Sequence, residues 1–215
     1  MLVLKRPPAP VRETASNAII SRPETRVNMP HIFQQIPGFF DFENIYLEAV
    51  AEFDGPAHFV EIGSWYGRSA AFMAVEIINS GKAITFDAID TWEGTWPRQG
   101  SESTDPNLVK YGTMYPNFLA NVWPVLHALT PIKLPSLEAV KLYPDRSLDF
   151  VFIDAAHDYE NVKKDIIAWR PKVKPGGILA GHDYNKENSP GLVKAVNECL
   201  PTAEFVAPTS WRIRV

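Results

Sequence analysis

The stretch Phe59-Val60-Glu61-Ile62-Gly63-Ser64-Trp65-Tyr66-Gly67-Arg68-Ser69 reads as a buried strand, a glycine turn and the start of a helix, with one acidic residue at the strand's end. This is the build of a nucleotide-type cofactor pocket. A dinucleotide fingerprint needs Gly-x-Gly-x-x-Gly, so that bare backbone can approach a pyrophosphate. Trp65 occupies the place of the middle glycine. With only Gly63 and Gly67 as bends, the turn suits a ligand without phosphates, and Glu61 suits a cationic one. S-adenosylmethionine, a sulfonium that carries an amino acid, meets both conditions.

Outward from this turn, strand and helix signals alternate. Strands are expected at 57–62, 83–90, 131–134, 148–154 and 178–182, the last entered through Gly176-Gly177, with two closing strands at 203–207 and 210–215. Helices are expected at 67–79, closed by Gly81, at 159–170, stopped by Pro171, and at 190–199. Upstream, Phe42, Ile45, Tyr46, Ala49, Val50 and Phe53 share one helical face behind Asp41, read as an N-cap. The pattern predicts an α/β fold: a Rossmann-like three-layer sandwich with a mostly parallel seven-stranded sheet and helices on both faces. Ligands of such sheets bind beyond the carboxyl ends of the strands, where Glu61, Asp90, Asp154 and Asp183 are all expected.

Two segments fall outside the alternation. Residues 1–30 are rich in proline and arginine and predict an extended arm, suited to packing on a partner subunit in a homo-oligomer. Residues 91–130 hold a long polar stretch and then an apolar helix from about Asn117 to Leu129, and predict a lid or substrate segment. Within it Trp123 is read as a core residue of that helix. Trp92 and Trp96 are read either as core or as a wall for substrate or adenine.

The 215 residues suit one domain, 31–215, behind the arm. A net charge of -4 gives no footprint for nucleic acid and favours a small-molecule partner. Cys199 is the only cysteine, no apolar run reaches membrane-spanning length and no signal-peptide core is present, so a cytoplasmic protein with no membrane partner is expected.

Several residues at the strand ends carry chemistry. Ile84-Thr-Phe-Asp-Ala-Ile-Asp90 offers a carboxylate for both ribose hydroxyls, Asp90 at the strand end being preferred and Asp87 held in reserve. Phe152-Ile-Asp-Ala-Ala-His-Asp-Tyr-Glu160 sets Asp154 at the sheet edge and His157 three residues on, where an imidazole can take a proton from an acceptor hydroxyl near neutrality. Gly181-His-Asp-Tyr-Asn185 ends the next strand, so that Asp154 and Asp183, with His182 or Asn185, either share a hard cation such as magnesium or bind solvent and backbone.

Over about residues 33–215 the chain resembles class I S-adenosylmethionine-dependent methyltransferases, in particular the small O-methyltransferase-like branch with its catechol and sugar O-methyltransferases. Glu61-Ile-Gly-Ser-Trp-Tyr-Gly-Arg-Ser-Ala70 is similar to their cofactor motif, which implies binding roles at the methionine end for Glu61, Gly63, Tyr66, Gly67 and Ser69. Asp-Thr-Trp-Glu-Gly at 90–94 resembles the ribose-binding turn, and Ser136-Leu-Glu-Ala the adenine-side segment, which implies those roles for Asp90 and Ser136. In metal-dependent relatives the aspartate that matches Asp154 binds the cation and a catalytic lysine follows three positions later, where this chain has His157. Those relatives place Asp-Asn, or in sugar-modifying enzymes Asp-Asp, after the next strand, where this chain has His182-Asp183. Either His182 is a ligand or the site works without metal.

The expected function is methyl transfer from S-adenosylmethionine to a hydroxyl of a small molecule, a sugar or a phenolic natural product, with His157 and Asp154 catalytic. A non-catalytic cofactor-binding or assembly module is the alternative from another class. Trp65 and the missing third glycine oppose a nicotinamide-dependent oxidoreductase, and the acidic balance opposes nucleic-acid methylation.

Overall fold

The structure, a computed structural model, describes residues 28–93, 114–206 and 208–215. Seven strands form one sheet in the order β3-β2-β1-β4-β5-β7-β6. These are β1 Ala57–Ile62, β2 Ile84–Asp90, β3 Thr130–Lys133, β4 Leu148–Ile153, β5 Val173–Gly181, β6 Glu204–Val206 and β7 Ser210–Arg214. All neighbours pair parallel except β5 with β7 and β6 with β7, which are antiparallel. The helices are α1 Glu43–Glu52, α2 Arg68–Ser80, α3 Met114–Val122, α4 Ser136–Ala139, α5 Tyr159–Trp169 and α6 Pro190–Cys199. Among the described residues no helix is long and apolar enough to cross a membrane.

Strands β1 and β4 form the centre of the sheet, and all six residues of β4 are buried. Alternate side chains feed two cores. On one face Phe59, Phe150 and Phe152 pack with Phe42, Tyr46 and Phe72 under α1, α2 and α3. On the other face Val60, Ile62, Val151 and Ile153 pack with Val162, Ile166, Trp169 and Val196 of α5 and α6. A strand buried on both faces needs this unbroken apolar run, which is why Phe59–Ile62 and Leu148–Ile153 carry only Glu61 and Asp149 as exceptions. The chain builds outward from β1 to β3 and then crosses back to β4, so the strand order reverses between β1 and β4, and sheets of this kind take their ligands beyond the carboxyl ends of the strands at such a reversal.

The expected elements recur with several corrections. The first helix begins at Glu43 after Phe42, with no side-chain cap; Asp41 does not cap it and reaches instead across the fold to His182. The apolar helix expected from Asn117 to Leu129 begins at Met114 and ends at Val122, where a 3-10 stretch, Trp123–Ala128, takes over. Pro124 explains the break, since it has no N–H to give to a continuing α-helix. Trp123, expected in the core, is 72% exposed at this break. Strand β5 starts five residues earlier than expected, because Val173 already pairs with Leu148 and the glycine pair is absorbed in a register shift before Ile178 meets Phe150.

Of the arm, only residues 28–30 are described. Met29 exchanges two hydrogen bonds with Asn79 on α2, and the following residues lay His31, Phe33 and Phe40 against Phe72. Trp96 lies outside the described residues.

Two glycines of the β1–α2 loop are required by the packing itself. At Gly63, with φ +95°, an added Cβ would lie 2.0 Å from the backbone oxygen of Asp154. At Gly67, with φ +86°, it would lie 2.6 Å from Val122 Cγ1. Gly176, also at positive φ, has nothing within 4 Å of the same position. Gly63→Ala is therefore expected to cost more than about 4 kcal/mol or to prevent folding, whereas Gly176→Ala costs about 1 kcal/mol. Thermal unfolding of the two variants side by side tests this; equal losses would show that the Asp154 contact does not constrain the fold.

Candidate active site

Glu61, next to last in β1, keeps its carboxylate in the interior. The Tyr46 hydroxyl donates to Oε2 at 2.6 Å. Burial pushes the Glu61 pKa up to about 7, a rise that Tyr46, Ser64 and Ser69 temper. Oε1 and the neighbouring Ser64 Oγ are both buried; Ser64 lies near enough to temper the carboxylate, yet neither atom completes a well-formed hydrogen bond within the protein. A buried acceptor and a buried hydroxyl left incompletely paired are uncommon in a native interior and suit a place built for a partner.

The loop that follows is fixed by Asp90 at the end of β2. Trp65 stands in the left-handed region, φ +44°, a conformation that strains any residue with a side chain. Both its peptide groups are held: its N–H donates to Asp90 Oδ2 at 2.8 Å and its carbonyl accepts from Trp92 Nε1 at 2.8 Å. The Trp92 N–H donates to Asp90 Oδ1 at 2.7 Å. One carboxylate thus ties the first and second crossover loops together. Burial raises the Asp90 pKa even against these donors. Trp92 itself is buried, its ring packed on Tyr115 and Phe118 with centroids 4.6 Å away in each case. It supports the loop from behind.

The second cluster gathers at the ends of β4 and β5. Asp154 follows β4 and donates its N–H to Ile62 O at 2.8 Å, while the His182 N–H donates to Ile153 O at 3.1 Å. Asp183 takes φ +58°, which aspartate tolerates better than most residues, and so turns back over the strand ends. Its Oδ2 lies 2.5 Å from His157 Nε2. His182 Nδ1 is 3.5 Å from Asp154 Oδ1 and 3.6 Å from Asp183 Oδ2. Burial opposes a charge on His182, yet Asp154 and Asp183 outweigh it and lift its pKa to about 11. Burial likewise pushes Asp183 up, but His157 and His182 hold its carboxyl well below the usual range. Asp154, His182 and Asp183 each offer a ligand atom, all within 4.8 Å of one another.

The structure thus brings Glu61, Gly63, Asp90, Asp154, His157, His182 and Asp183 to one edge of the sheet. Tyr66 and Ser69 are buried behind the loop, and the Tyr66 carbonyl accepts from Asn121. Ser136 opens α4 with its hydroxyl donated to Asp165 at 2.6 Å and accepting from Trp169 Nε1 at 2.8 Å. Asp87, the reserve to Asp90, is placed elsewhere: its Oδ2 lies 2.7 Å from His58 Nε2 and accepts from Tyr143 at 2.7 Å. Sequence reasoning missed Tyr46 and Asp41, whose partners are 15 and 141 residues away. The only signal for either was a polar group beside an apolar helix face.

Residues 60–184 match the model of a family described as a methyltransferase domain. The chain belongs to this methyltransferase family. Its fold is that of small class I methyltransferases: the O-methyltransferase NovP superposes with a TM-score of 0.62 at 18% identity over 80% of this chain and 78% of that one. The calicheamicin methyltransferase CalS11 gives 0.59 at 16% identity over 80% and 76%. An uncharacterised protein of Sinorhizobium fredii, y4gI, is 27% identical over 129 residues. That match spans 60% of this chain and only 13% of the relative's length.

The family implies S-adenosylmethionine, and the incompletely paired Glu61 Oε1 and Ser64 Oγ fit it: the acid suits its cationic groups and the hydroxyl its amino-acid end. The nitrogen and two carboxylates at Asp154, His182 and Asp183 fit a divalent cation by donor chemistry.

The raised pKa of Glu61 has a consequence for the stability of the chain. In the unfolded chain this glutamate ionises in the ordinary range, so the stabilisation it contributes is complete below that range and is lost as pH rises through about 7. Between about pH 5 and about pH 8 the wild type is expected to lose roughly 3 kcal/mol relative to Glu61→Gln. Urea unfolding of both proteins across this range measures it, and parallel curves would show that Glu61 does not titrate there.

Proposed function

We propose that this methyltransferase transfers a methyl group from S-adenosylmethionine to a hydroxyl of a small molecule, a sugar or a phenolic compound. The observation that carries this reading is the His157–Asp183 pair, 2.5 Å apart at the carboxyl edge of the sheet and beside the Glu61 loop. Asp183 accepts the Nε2 hydrogen of His157 and so leaves Nδ1 as the base toward an acceptor hydroxyl. Both side chains are about one-third exposed, enough for an acceptor to reach them. The cofactor, when bound, supplies the electrophilic methyl group. Glu61 and the Ser64 hydroxyl hold its amino-acid end and Asp90 its ribose, as positioning for an in-line transfer requires. The neighbours NovP and CalS11 support an oxygen acceptor; a further structure of CalS11 describes that protein as a TDP-rhamnose 3'-O-methyltransferase.

Asp154, His182 and Asp183 would hold a divalent cation, magnesium in the simplest case, which lowers the pKa of an oxygen bound beside it. The His182 proton and such a cation compete for one place between the same carboxylates. The net negative charge favours a small acceptor over nucleic acid.

Transfer of labelled methyl from S-adenosylmethionine to a panel of sugar and phenolic acceptors, with and without metal, tests the proposal. Label on a hydroxyl oxygen is expected, and His157→Ala should lower kcat by about 10²- to 10⁴-fold with cofactor affinity nearly unchanged. A variant as active as wild type removes His157 from the mechanism. A protein that binds the cofactor and labels no acceptor supports the non-catalytic module instead.

A further inference from the structure

Asp41 stands just ahead of α1 and reaches the ends of β4 and β5 from the far side of His182. Its Oδ1 lies 2.7 Å from His182 Nε2. Thr209 Oγ1 lies 2.9 Å from the same nitrogen and donates to the Asp41 oxygens at 3.4 and 3.3 Å. A carboxylate has no hydrogen to give, so the hydrogen between Asp41 and His182 belongs to Nε2. In the neutral ring the lone pair then falls on Nδ1, the nitrogen that faces Asp154 Oδ1 at 3.5 Å and Asp183 Oδ2 at 3.6 Å. The ring has little freedom to turn over: the His182 side chain is 10% exposed, and the Phe42 ring lies against it with centroids 4.8 Å apart.

This arrangement is a carboxylate behind an imidazole whose other nitrogen points at two further carboxylates. Outer carboxylates of this kind fix the tautomer of a metal-bound histidine and raise its basicity. Magnesium prefers oxygen ligands and keeps its waters, whereas imidazole nitrogen suits the later first-row metals. We propose that Asp41 is a positioning residue that holds His182 Nδ1 toward Asp154 and Asp183, and that the resulting set of one nitrogen and two carboxylates prefers a first-row transition cation such as Co²⁺, Fe²⁺ or Zn²⁺ to Mg²⁺. The inference rests on the metal reading of the proposed function and gives that site its cation class.

The test is titration of the full-length chain with Co²⁺, followed by visible absorption and calorimetry, with Mg²⁺ as competitor and proton NMR of the cobalt-loaded protein. One Co²⁺ per chain is expected, displaced only by a large excess of Mg²⁺, together with one strongly shifted, solvent-exchangeable resonance from the His182 Nε2 hydrogen. Asp41→Asn should weaken Co²⁺ binding about 10- to 100-fold and speed exchange of that hydrogen, while Asp41→Glu restores most of both. His182→Asp should abolish the resonance and turn the preference toward Mg²⁺. Affinity for S-adenosylmethionine, measured in parallel, reports that each variant is folded. Equal affinity of the wild type for Mg²⁺ and Co²⁺, or an unchanged preference in His182→Asp, overturns the cation class. Unchanged Co²⁺ binding and unchanged exchange in Asp41→Asn overturn the positioning role. Saturation by neither metal, with S-adenosylmethionine still bound, overturns the inference and the metal reading together and leaves the methyl-transfer reading intact.

Discussion

The fold turns on the close approach of two backbones, Gly63 after β1 and Asp154 after β4. Gly63 gives its N–H to Ile89 O and Asp154 gives its own to Ile62 O, each at 2.8 Å, so three central strands end in one hydrogen-bonded seam. A side chain at Gly63 would occupy the space of the Asp154 carbonyl. Because the seam lies where the strand order reverses, the groups that leave it diverge at the edge of the sheet where such folds take their ligands. Glu61 and the first loop lie on one side, and Asp154, His157 and the β5 turn lie on the other. The distances within the candidate site follow from that contact more than from any single side chain.

Charge at these strand ends is placed at some cost in desolvation. Glu61 and Asp90 are held in the interior by donors that only partly offset burial, and both are harder to ionise as a result. Beyond β5 the balance is opposite, since Asp183 is held ionised by two histidines. One half therefore favours a ligand that brings positive charge, and the other keeps an acid ready to orient a base. Such a division of labour between acids in different environments is a recurrent way of assigning binding and proton-transfer roles. The strain at Trp65 and Asp183, both at positive φ, lies on the same two loops and is held by hydrogen bonds at Trp65 and by ion pairs at Asp183.

Much of this was legible in the residue order. Strands such as Phe59–Ile62 and Leu148–Ile153 stand out because burial on both faces demands unbroken apolar runs, and the carboxylates at their ends interrupt those runs. Asp158 caps α5 through the Asn161 N–H, as local chemistry dictates. What escaped depends on distance along the chain. Asp41 has the composition and position of a helix cap, and only the folded topology shows that a partner across the sheet claims it. The end of α3 was misplaced because the apolar pattern continues past Pro124 while the hydrogen-bonding pattern does not. Tyr46 read correctly as a core residue of α1, but its hydroxyl, set under Glu61, is invisible to a hydrophobic period. Glycine was informative for a different reason than expected: Gly63 and Gly67 make room for the protein's own atoms.

The central claim is that the Glu61 loop receives a cationic, phosphate-free cofactor. Calorimetric titration with S-adenosylmethionine at pH 7, in two buffers of different ionisation enthalpy and with NAD as control, tests it most directly. The account predicts micromolar binding of S-adenosylmethionine, none of NAD, and release of part of a proton as the ligand's charge drives Glu61 to ionise. Failure of S-adenosylmethionine to bind, or binding of NAD in its place, would contradict it.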